Sequence, residues 1–334
     1  MKNSTHFKPA WWLNNAHLQT IFPALFRKQK QLKNCWRERL ITPDKDYIDL
    51  DWCGESDKPL VILLHGLTGS SESGYINGLQ KTLLDQGFRS VVLNFRGCSG
   101  ESNNLARCYH SGDTEDIDFL YRTLRQREPE TDMAVIGFSL GGNVLLKWLG
   151  EQSNKVSLFA AIAISVPLVL SVCATKLDTG FSRFYRSNLI RELKDYMQLK
   201  VNHLNKIGQF QEMEKIHSLG DLSAIQSFWQ YDDQVVAKLH GFKSAEDYYQ
   251  QSSSRYYLNK IKIPTLLIQS LDDPFMTEEV IPDESELSSK VTLEITQGGG
   301  HVGFVCGKIP FRPSYWLEWR ISAYLKQQFT VNDS

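Results

Sequence analysis

Two kinds of hydrophobic pattern alternate along the chain: runs of consecutive apolar residues, and segments in which apolar residues recur at helical spacing. Runs of consecutive apolar residues, typical of buried parallel strands, occur at residues 59–66, 89–95, 132–138, 263–273 and 290–300. Amphipathic spacing, typical of helices, occurs at residues 75–87, 113–127, 139–150 and 313–328. Residues 36–52 predict a short antiparallel pair around a Pro-Asp turn. Strands alternating with helices predict an α/β fold with a mostly parallel central sheet flanked by helices.

Residues 167–254 interrupt this alternation. They contain two long stretches of helical periodicity, are rich in aromatic side chains and offer no convincing strand. We expect a single domain over residues 1–334, with residues 167–254 forming a helical cap inserted between two strands. Ligands of parallel α/β sheets bind at the carboxyl ends of the strands, so the cap is expected to cover the site.

One segment imitates a membrane span. Residues 156–175 carry no charge over about 20 residues, which is the length that crosses a bilayer. Pro167 lies in the middle of the run, and its β-branched residues alternate within the strand–helix pattern. We therefore predict a buried strand and no integral membrane span.

Charge and cysteine content narrow the class of protein. The 334 residues include 37 basic and 38 acidic side chains, so the protein is nearly neutral. It therefore has no long-range electrostatic field that attracts phosphate backbones, and nucleic acid is not expected as a partner. The six cysteines show no CxxC pair, so they indicate neither a zinc site nor a disulfide framework. With no secretory signal pattern at the N-terminus, a cytoplasmic location is expected. No motif calls for a metal or an organic cofactor.

The strongest chemical signal is Gly-Phe-Ser-Leu-Gly at residues 137–141. It matches GxSxG, the nucleophile elbow, in which a sharp strand-to-helix turn exposes a serine hydroxyl above the sheet. The flanking segments supply the strand and the helix that the motif requires. Ser139 is therefore the candidate nucleophile, and we expect side chains at Gly137 or Gly141 to collide with neighbouring backbone.

A nucleophilic serine needs a histidine base, which follows it in this kind of fold. Of the four histidines after Ser139, three lie in the helical insertion, and only His301 follows the last strand in a glycine-rich loop. Gly298, Gly300 and Gly303 also satisfy GxGxxG. Too little chain remains for the helix, further strand and acidic residue that a dinucleotide site requires, so His301 is the candidate base.

The orienting acid is expected at the end of the preceding strand. Asp272 and Asp273 both lie there. Asp273 is favoured because the following proline restricts its backbone and fixes its direction, with Asp272 as the alternative. The oxyanion hole is expected from the backbone N–H groups of Leu67, after the first buried strand, and Leu140, after the nucleophile.

This ordered set resembles the α/β-hydrolase superfamily: HGLTGS, NFRGCSG, GFSLGGN, DDPF and GGGHVGF. The segments WWLNNAHLQTIFPALFR and YYQQSSSRYYLNKIKIPTLLIQSLDDPF resemble its YheT-like carboxylesterase branch, and the likeness covers nearly the whole chain. The resemblance implies an α/β-hydrolase fold, with Ser139 as nucleophile, Asp273 as acid and His301 as base. Eukaryotic members of this branch are membrane-anchored lipases of phospholipids or other acyl esters, and no such anchor is recognised at the N-terminus of this chain.

The expected function is cleavage of a carboxylic ester on a small acyl substrate, with an acyl-enzyme intermediate. Thioesterase, amidase or peptidase activity with the same triad remains an alternative, as does a catalytically silent ligand-binding protein. Transient contact of the N-terminal aromatic segment with lipid stays open, although packing onto the protein body is favoured. The natural substrate, acyl length and oligomeric state are not predicted.

Overall fold

An eight-stranded sheet forms the centre of the computed structural model, which describes residues 7–27 and 32–332. The strand order is β1-β2-β4-β3-β5-β6-β7-β8; β1 and β2 run antiparallel to their neighbours and the other strands are parallel. The strands are β1 (Cys35–Ile41), β2 (Tyr47–Cys53), β3 (Leu60–Leu64), β4 (Arg89–Asn94), β5 (Met133–Phe138), β6 (Ala160–Ile164), β7 (Thr265–Ser270) and β8 (Val291–Thr296). A separate short pair, β9 (Val305–Cys306) and β10 (Ser314–Tyr315), follows the sheet.

Helices α2 and α11 pack on one face of the sheet and α3 and α4 on the other. The helices of the described chain are α1 (Ala16–Phe26), α2 (Gly74–Asp85), α3 (Glu115–Arg127), α4 (Leu140–Gln152), α5 (Leu170–Leu177), α6 (Ser182–Lys206), α7 (Phe210–His217), α8 (Phe228–Tyr231), α9 (Lys238–His240), α10 (Ala245–Ser252) and α11 (Trp316–Asn332). Along β3, Leu60, Ile62 and Leu64 pack with α3 and α4, whereas Val61 and Leu63 pack with α2 and α11. This alternation follows from the two-residue period of a strand, and it buries β3 on both faces.

The expected α/β fold with a mostly parallel sheet is confirmed. The membrane-like run at residues 156–175 divides into β6 and α5 around Pro167, because an uncharged run also suits a strand buried on both faces. Within the residues that the structure describes, no helix is long and apolar enough to span a membrane.

Between β6 and β7 the described chain forms α5 to α10 and no strand. The helices from α5 to α10 enclose a hydrophobic cluster of their own, which includes Leu193, Met197 and Val235. A π-helical turn, Asp232–Ala237, continues α8 into α9. The helical segment therefore has its own packing, and its apolar residues also reach the cavity described below.

One cysteine pair corrects the sequence analysis. Cys35 and Cys53 are register partners on β1 and β2 and form a disulfide, although no disulfide framework was indicated by the cysteine spacing. The two residues are 18 positions apart, and only the register of the hairpin brings them opposite each other. Because disulfides persist mainly in oxidising compartments, cysteine usage no longer argues for the cytoplasm, and that location stays a prediction.

Candidate active site

Ser139 stands at the sharp turn between β5 and α4. Its backbone has φ 51° and ψ −118°, a conformation that L-residues rarely adopt and that functional sites retain. A Cβ on Gly137 would lie 2.4 Å from the Gly141 oxygen, and one on Gly141 would lie 2.5 Å from the His65 oxygen. Both flanking positions thus need glycine because the elbow packs directly on neighbouring backbone.

His301 lies in the loop after β8 and links two side chains. Its Nε2 is 2.9 Å from Ser139 Oγ, and its Nδ1 is 2.8 Å from Asp273 Oδ2. A carboxylate only accepts hydrogen bonds, so Nδ1 carries the proton and Nε2 is left to accept from the serine hydroxyl. The side chains of His301 and Asp273 are 10% and 1% exposed, so this relay is largely shielded from water.

The two neighbouring aspartates occupy different positions. Asp273, just after β7, accepts from the Phe275 N–H through Oδ1 at 2.8 Å and holds His301 through Oδ2. Asp272 instead accepts from the Gly300 N–H at 2.9 Å and from the Ser270 hydroxyl. The structure therefore places Asp273, and not Asp272, against the imidazole.

Two backbone N–H groups flank the serine without a protein acceptor. In the described part of the chain, neither the N–H of Leu67 nor that of Leu140 donates to another protein atom. Leu140 is the first residue of α4, where helix N–H groups have no partner within the helix. The loop before Leu67 lies beside the nucleophile, since a Cβ on Gly66 would be 3.4 Å from Ser139 Cβ.

His65 fixes the shape of that loop. Its Nδ1 donates to the Gly66 carbonyl at 2.7 Å, and its Nε2 accepts from the Phe95 N–H at 3.0 Å. Burial lowers the pKa of His65 to about 4, so the ring is neutral at pH 7 and makes both bonds. His65 therefore has a structural role: among the described residues its ring bonds Gly66 and Phe95, and Ser139 Oγ bonds His301 instead.

Several contacts that hold the His301 loop escaped the sequence analysis. The His301 N–H donates to Thr20 Oγ1 of α1 at 2.9 Å, and the Val302 N–H donates to Ser165 Oγ at 3.0 Å. The Phe275 ring stacks on the imidazole with centroids 4.0 Å apart. Thr20 and Phe275 lie in quoted segments that gave no sign of these contacts, and Thr20 and Ser165 are more than a hundred positions from the loop that they hold.

The glycines of this loop serve close packing against α1. A Cβ on Gly303 would lie 2.0 Å from the Gln19 oxygen, and one on Gly300 would lie 2.5 Å from the Ala16 oxygen. Gln19 is buried and bonds the Val305 backbone at both its amide nitrogen and its carbonyl oxygen. The N-terminal segment thus packs on the protein body and forms part of the site wall.

Other polar residues near the N-terminal motifs lie outside the relay. His17 Nδ1 is 3.0 Å from the Tyr185 hydroxyl, and its ring lies against Phe181. Arg96 makes a bidentate ion pair with buried Asp116, and this pair holds the loop after β4.

In the part of the chain that the structure describes, no group of three or more His, Cys, Asp or Glu residues is arranged to hold a metal ion.

A cavity of about 630 Å³ opens at Ser139 and His301. Its wall comes from α1, the loop after β3, and helices α5, α6, α8 and α10, and most of its side chains are apolar or aromatic. The apolar wall includes Ile21, Leu25, Leu170, Ala174, Leu177, Phe184, Leu189, Leu193, Phe228 and Val236. Such a cavity can bury an acyl chain beside the serine.

The fold and this site define the class of protein. A family model described as the alpha/beta hydrolase fold matches residues 59–307, and the chain belongs to that family. Within it the chain is YheT-like: it is 38% identical over 327 residues to the YheT protein of Escherichia coli (strain K12), a candidate esterase by name, covering 97% of this chain and 94% of that protein.

More distant relatives carry lipase names. The monoacylglycerol lipase of Saccharomyces cerevisiae is 30% identical over 74% of this chain and 55% of its own length. The human phospholipase ABHD3 is 28% identical over 92% of this chain and 76% of its own length. Among solved structures, the esterase Pf2001 of Pyrococcus furiosus superposes with a TM-score of 0.55 at 21% identity, covering 88% of this chain and 91% of that one. This last likeness shows the fold alone.

Proposed function

We propose that the protein is a serine hydrolase that cleaves carboxylic esters through an acyl-enzyme intermediate. The observation that carries the proposal is the continuous relay from Ser139 Oγ through His301 to Asp273, with heavy-atom distances of 2.9 and 2.8 Å. These are hydrogen-bond distances at which a nucleophile and its base exchange a proton.

Each group has a defined part in the proposed reaction. Ser139 Oγ attacks the acyl carbon while His301 Nε2 takes its proton, and Asp273 holds the imidazolium that forms. The N–H groups of Leu67 and Leu140 stabilise the oxyanion, and each such donor lowers the activation free energy of acyl transfer by about 3 kcal/mol. His301 then protonates the leaving alcohol, and a water activated by the same imidazole releases the acyl group as a carboxylic acid.

The helical segment between β6 and β7 acts as a cap in this proposal. Its helices supply most of the apolar wall of the cavity, so a substrate with an acyl chain is favoured over a small polar ester. Leu25 and Phe184 line the cavity and are also 70% and 52% exposed, and Phe26 beside them is 65% exposed. Apolar residues at such an entrance favour lipid-like esters and transient contact with lipid.

Covalent labelling tests the proposal directly. A fluorophosphonate probe is expected to label the wild type and to fail on Ser139→Ala, because the probe reacts only with an activated serine. Ser99→Ala is the matched control, since Ser99 donates to Asp49 and does not line the cavity. Labelling of Ser139→Ala at the wild-type rate would contradict the assignment.

Ester turnover is expected to depend on Ser139 in the same way as labelling does. Nitrophenyl esters of graded acyl length, together with thioester and amide analogues, are expected to show the ester cleaved fastest and the Ser139→Ala protein inactive. A protein that binds the esters without cleaving them would be a ligand-binding protein on a hydrolase scaffold.

A further inference from the structure

Asp232 brings a carboxyl group into the wall of the apolar cavity. It begins the π-helical turn Asp232–Ala237, and its side chain is buried, with 9% of the residue exposed. Oδ2 accepts from the Tyr249 hydroxyl at 2.7 Å. No other described side chain or N–H pairs with Oδ1, and this atom is not sealed from the cavity.

A second polar group in the wall of the same cavity is also unpaired. Tyr231 precedes Asp232, lines the cavity and is only 3% exposed, yet its hydroxyl has no partner among the described residues and is not fully enclosed. By contrast, the Tyr248 hydroxyl accepts from the Ser111 N–H at 2.9 Å. We call Tyr231, Asp232 and Tyr249 the polar corner of the cavity.

The polar corner is costly unless a ligand completes it. A buried acceptor or donor without a partner costs free energy, and a buried carboxylate without a cation costs more. Desolvation accordingly raises the pKa of Asp232 to about 7. Single π-helical turns also interrupt α-helices frequently at functional sites, and Asp232, which begins this one, lines the cavity.

We propose that the polar corner is a subsite for a hydroxyl group of the substrate, separate from the ester that Ser139 attacks. This inference rests on the proposed esterase function. A hydroxyl donates to Asp232 Oδ1 and accepts from the Tyr231 O–H at the same time, so it satisfies both groups. An ammonium group only donates, which leaves the Tyr231 hydrogen without an acceptor. The substrate class is therefore a hydroxylated acyl ester, with the intervening chain in the apolar part of the cavity.

Paired substrates test the subsite. Ethyl esters of straight-chain acids and of the corresponding ω-hydroxy acids, over a graded series of lengths, are compared by kcat/KM in a pH-stat. A second series carries the hydroxyl at the far end of the alcohol instead. At one chain length in one series, the hydroxy ester is expected to exceed the plain ester about tenfold in kcat/KM, which is the size of one hydrogen bond.

Variants assign the preference to the polar corner. Asp232→Leu is expected to bring the kcat/KM ratio of hydroxy ester to plain ester to about one, and Tyr231→Phe to lower it without removing a protein hydrogen bond. Asp233→Asn is the matched control, because Asp233 is exposed, lies outside the cavity and is expected to retain the wild-type ratio. If Asp232→Leu does not fold, Tyr231→Phe still decides.

Three results would contradict the proposed subsite. The first is a wild type that prefers plain esters at every length, and the second is an Asp232→Leu protein that keeps the preference for hydroxy esters. The third is a wild type that prefers ω-ammonium esters to ω-hydroxy esters. Fluorophosphonate labelling of Ser139 separates these failures from failure of the proposed function. A protein that labels and cleaves plain esters without a hydroxyl preference loses only the subsite, whereas a protein that does not label loses both.

Discussion

Asp272 and Asp273 are adjacent in sequence, but their carboxylates hold different parts of the loop that carries the base. Asp273 Oδ2 lies 2.8 Å from His301 Nδ1, whereas Asp272 Oδ1 accepts from the Gly300 N–H one residue earlier at 2.9 Å. One carboxylate therefore orients the imidazole, and the other fixes the backbone that delivers it.

This division predicts unequal effects of two similar substitutions. Asp273→Asn presents an amide to His301 Nδ1 and favours the wrong tautomer, so kcat is expected to fall about 10³- to 10⁴-fold. Asp272→Asn keeps an oxygen that can accept from Gly300, so a loss of about tenfold or less is expected. Steady-state ester kinetics measure both variants, and a larger loss for Asp272→Asn would exchange the two roles.

The elbow glycine Gly141 is predicted to tolerate no side chain. In Gly141→Ala the new Cβ would lie 2.5 Å from the His65 oxygen and 2.6 Å from the Leu64 oxygen, so backbone must move. A loss of about 1–3 kcal/mol in the free energy of unfolding is expected, together with weaker fluorophosphonate labelling. Gly298→Ala is the control, since its Cβ would meet no atom closer than 3.4 Å. Equal denaturation midpoints for the two variants would contradict the packing argument.

The sheet and the elbow were readable from sequence because both leave local signals. Buried strands appear as apolar runs, and GxSxG marks a turn whose glycines have no room for a Cβ, as the contacts of Gly137 and Gly141 show. The order of serine, acid and histidine along the chain then reduced the candidates to a few residues. Local pattern and chain order thus sufficed for the fold and for nominating the three side chains.

The supporting residues were not readable because their contacts are non-local. Thr20 and His301 are 281 positions apart, and nothing in the sequence near either residue indicates the bond between them. The cross-strand disulfide depended on hairpin register in the same way. Asp232 of the polar corner begins a π-helical turn in the cavity wall, and helical periodicity alone does not reveal such a turn.

His65 is predicted to make the protein less stable in mild acid. Its pKa is lowered from 6.5 to about 4 by burial, so below pH 6.5 the unfolded chain takes up a proton that the folded protein does not. The contribution of neutral His65 to the free energy of unfolding is present above pH 6.5 and is lost as the pH falls toward 4. The loss amounts to about 2 kcal/mol between pH 7 and pH 5.

Urea unfolding of His65→Gln at both pH values tests this. The variant keeps a donor and an acceptor but does not titrate, so its stability is expected to change less between pH 7 and pH 5 than that of the wild type. His217→Gln, at a half-exposed histidine, should keep the wild-type pH dependence. The argument fails if His65→Gln loses as much stability on acidification as the wild type.

The ion pair of Arg96 with Asp116 is predicted to be essential for stability. Both side chains are buried, with 2% and 5% exposed, and the pair is two-pronged at 2.7 and 2.8 Å. Arg96→Met removes the hydrogen-bonded cation from buried Asp116 and also from Asp44, which Nη1 contacts at 2.7 Å, so a loss of about 3–5 kcal/mol is expected in urea unfolding. Arg122→Met removes an exposed pair with Asp118 and should cost less than about 1 kcal/mol. Similar losses for both variants would show that burial of the Arg96 pair does not matter.

Thr20 is predicted to be a positioning residue for His301. Its Oγ1 accepts from the His301 N–H at 2.9 Å and donates to the Ala16 carbonyl at 2.8 Å, so it ties the base to α1. Thr20→Val has nearly the same shape but no acceptor, which leaves that N–H unpaired and lets the loop shift. We expect kcat and the rate of fluorophosphonate labelling to fall about tenfold, with a smaller change in KM.

Thr20→Ser separates this role from packing. The serine keeps the hydroxyl and loses only the methyl group, so it is expected to retain most of the wild-type labelling rate. If Thr20→Ser labels as slowly as Thr20→Val, loss of the methyl group is as harmful as loss of the hydroxyl, and the hydrogen bond alone does not position His301. If both variants label at the wild-type rate, the His301 loop is held in place without α1, because its bonds to Ser165 and Asp272 then suffice.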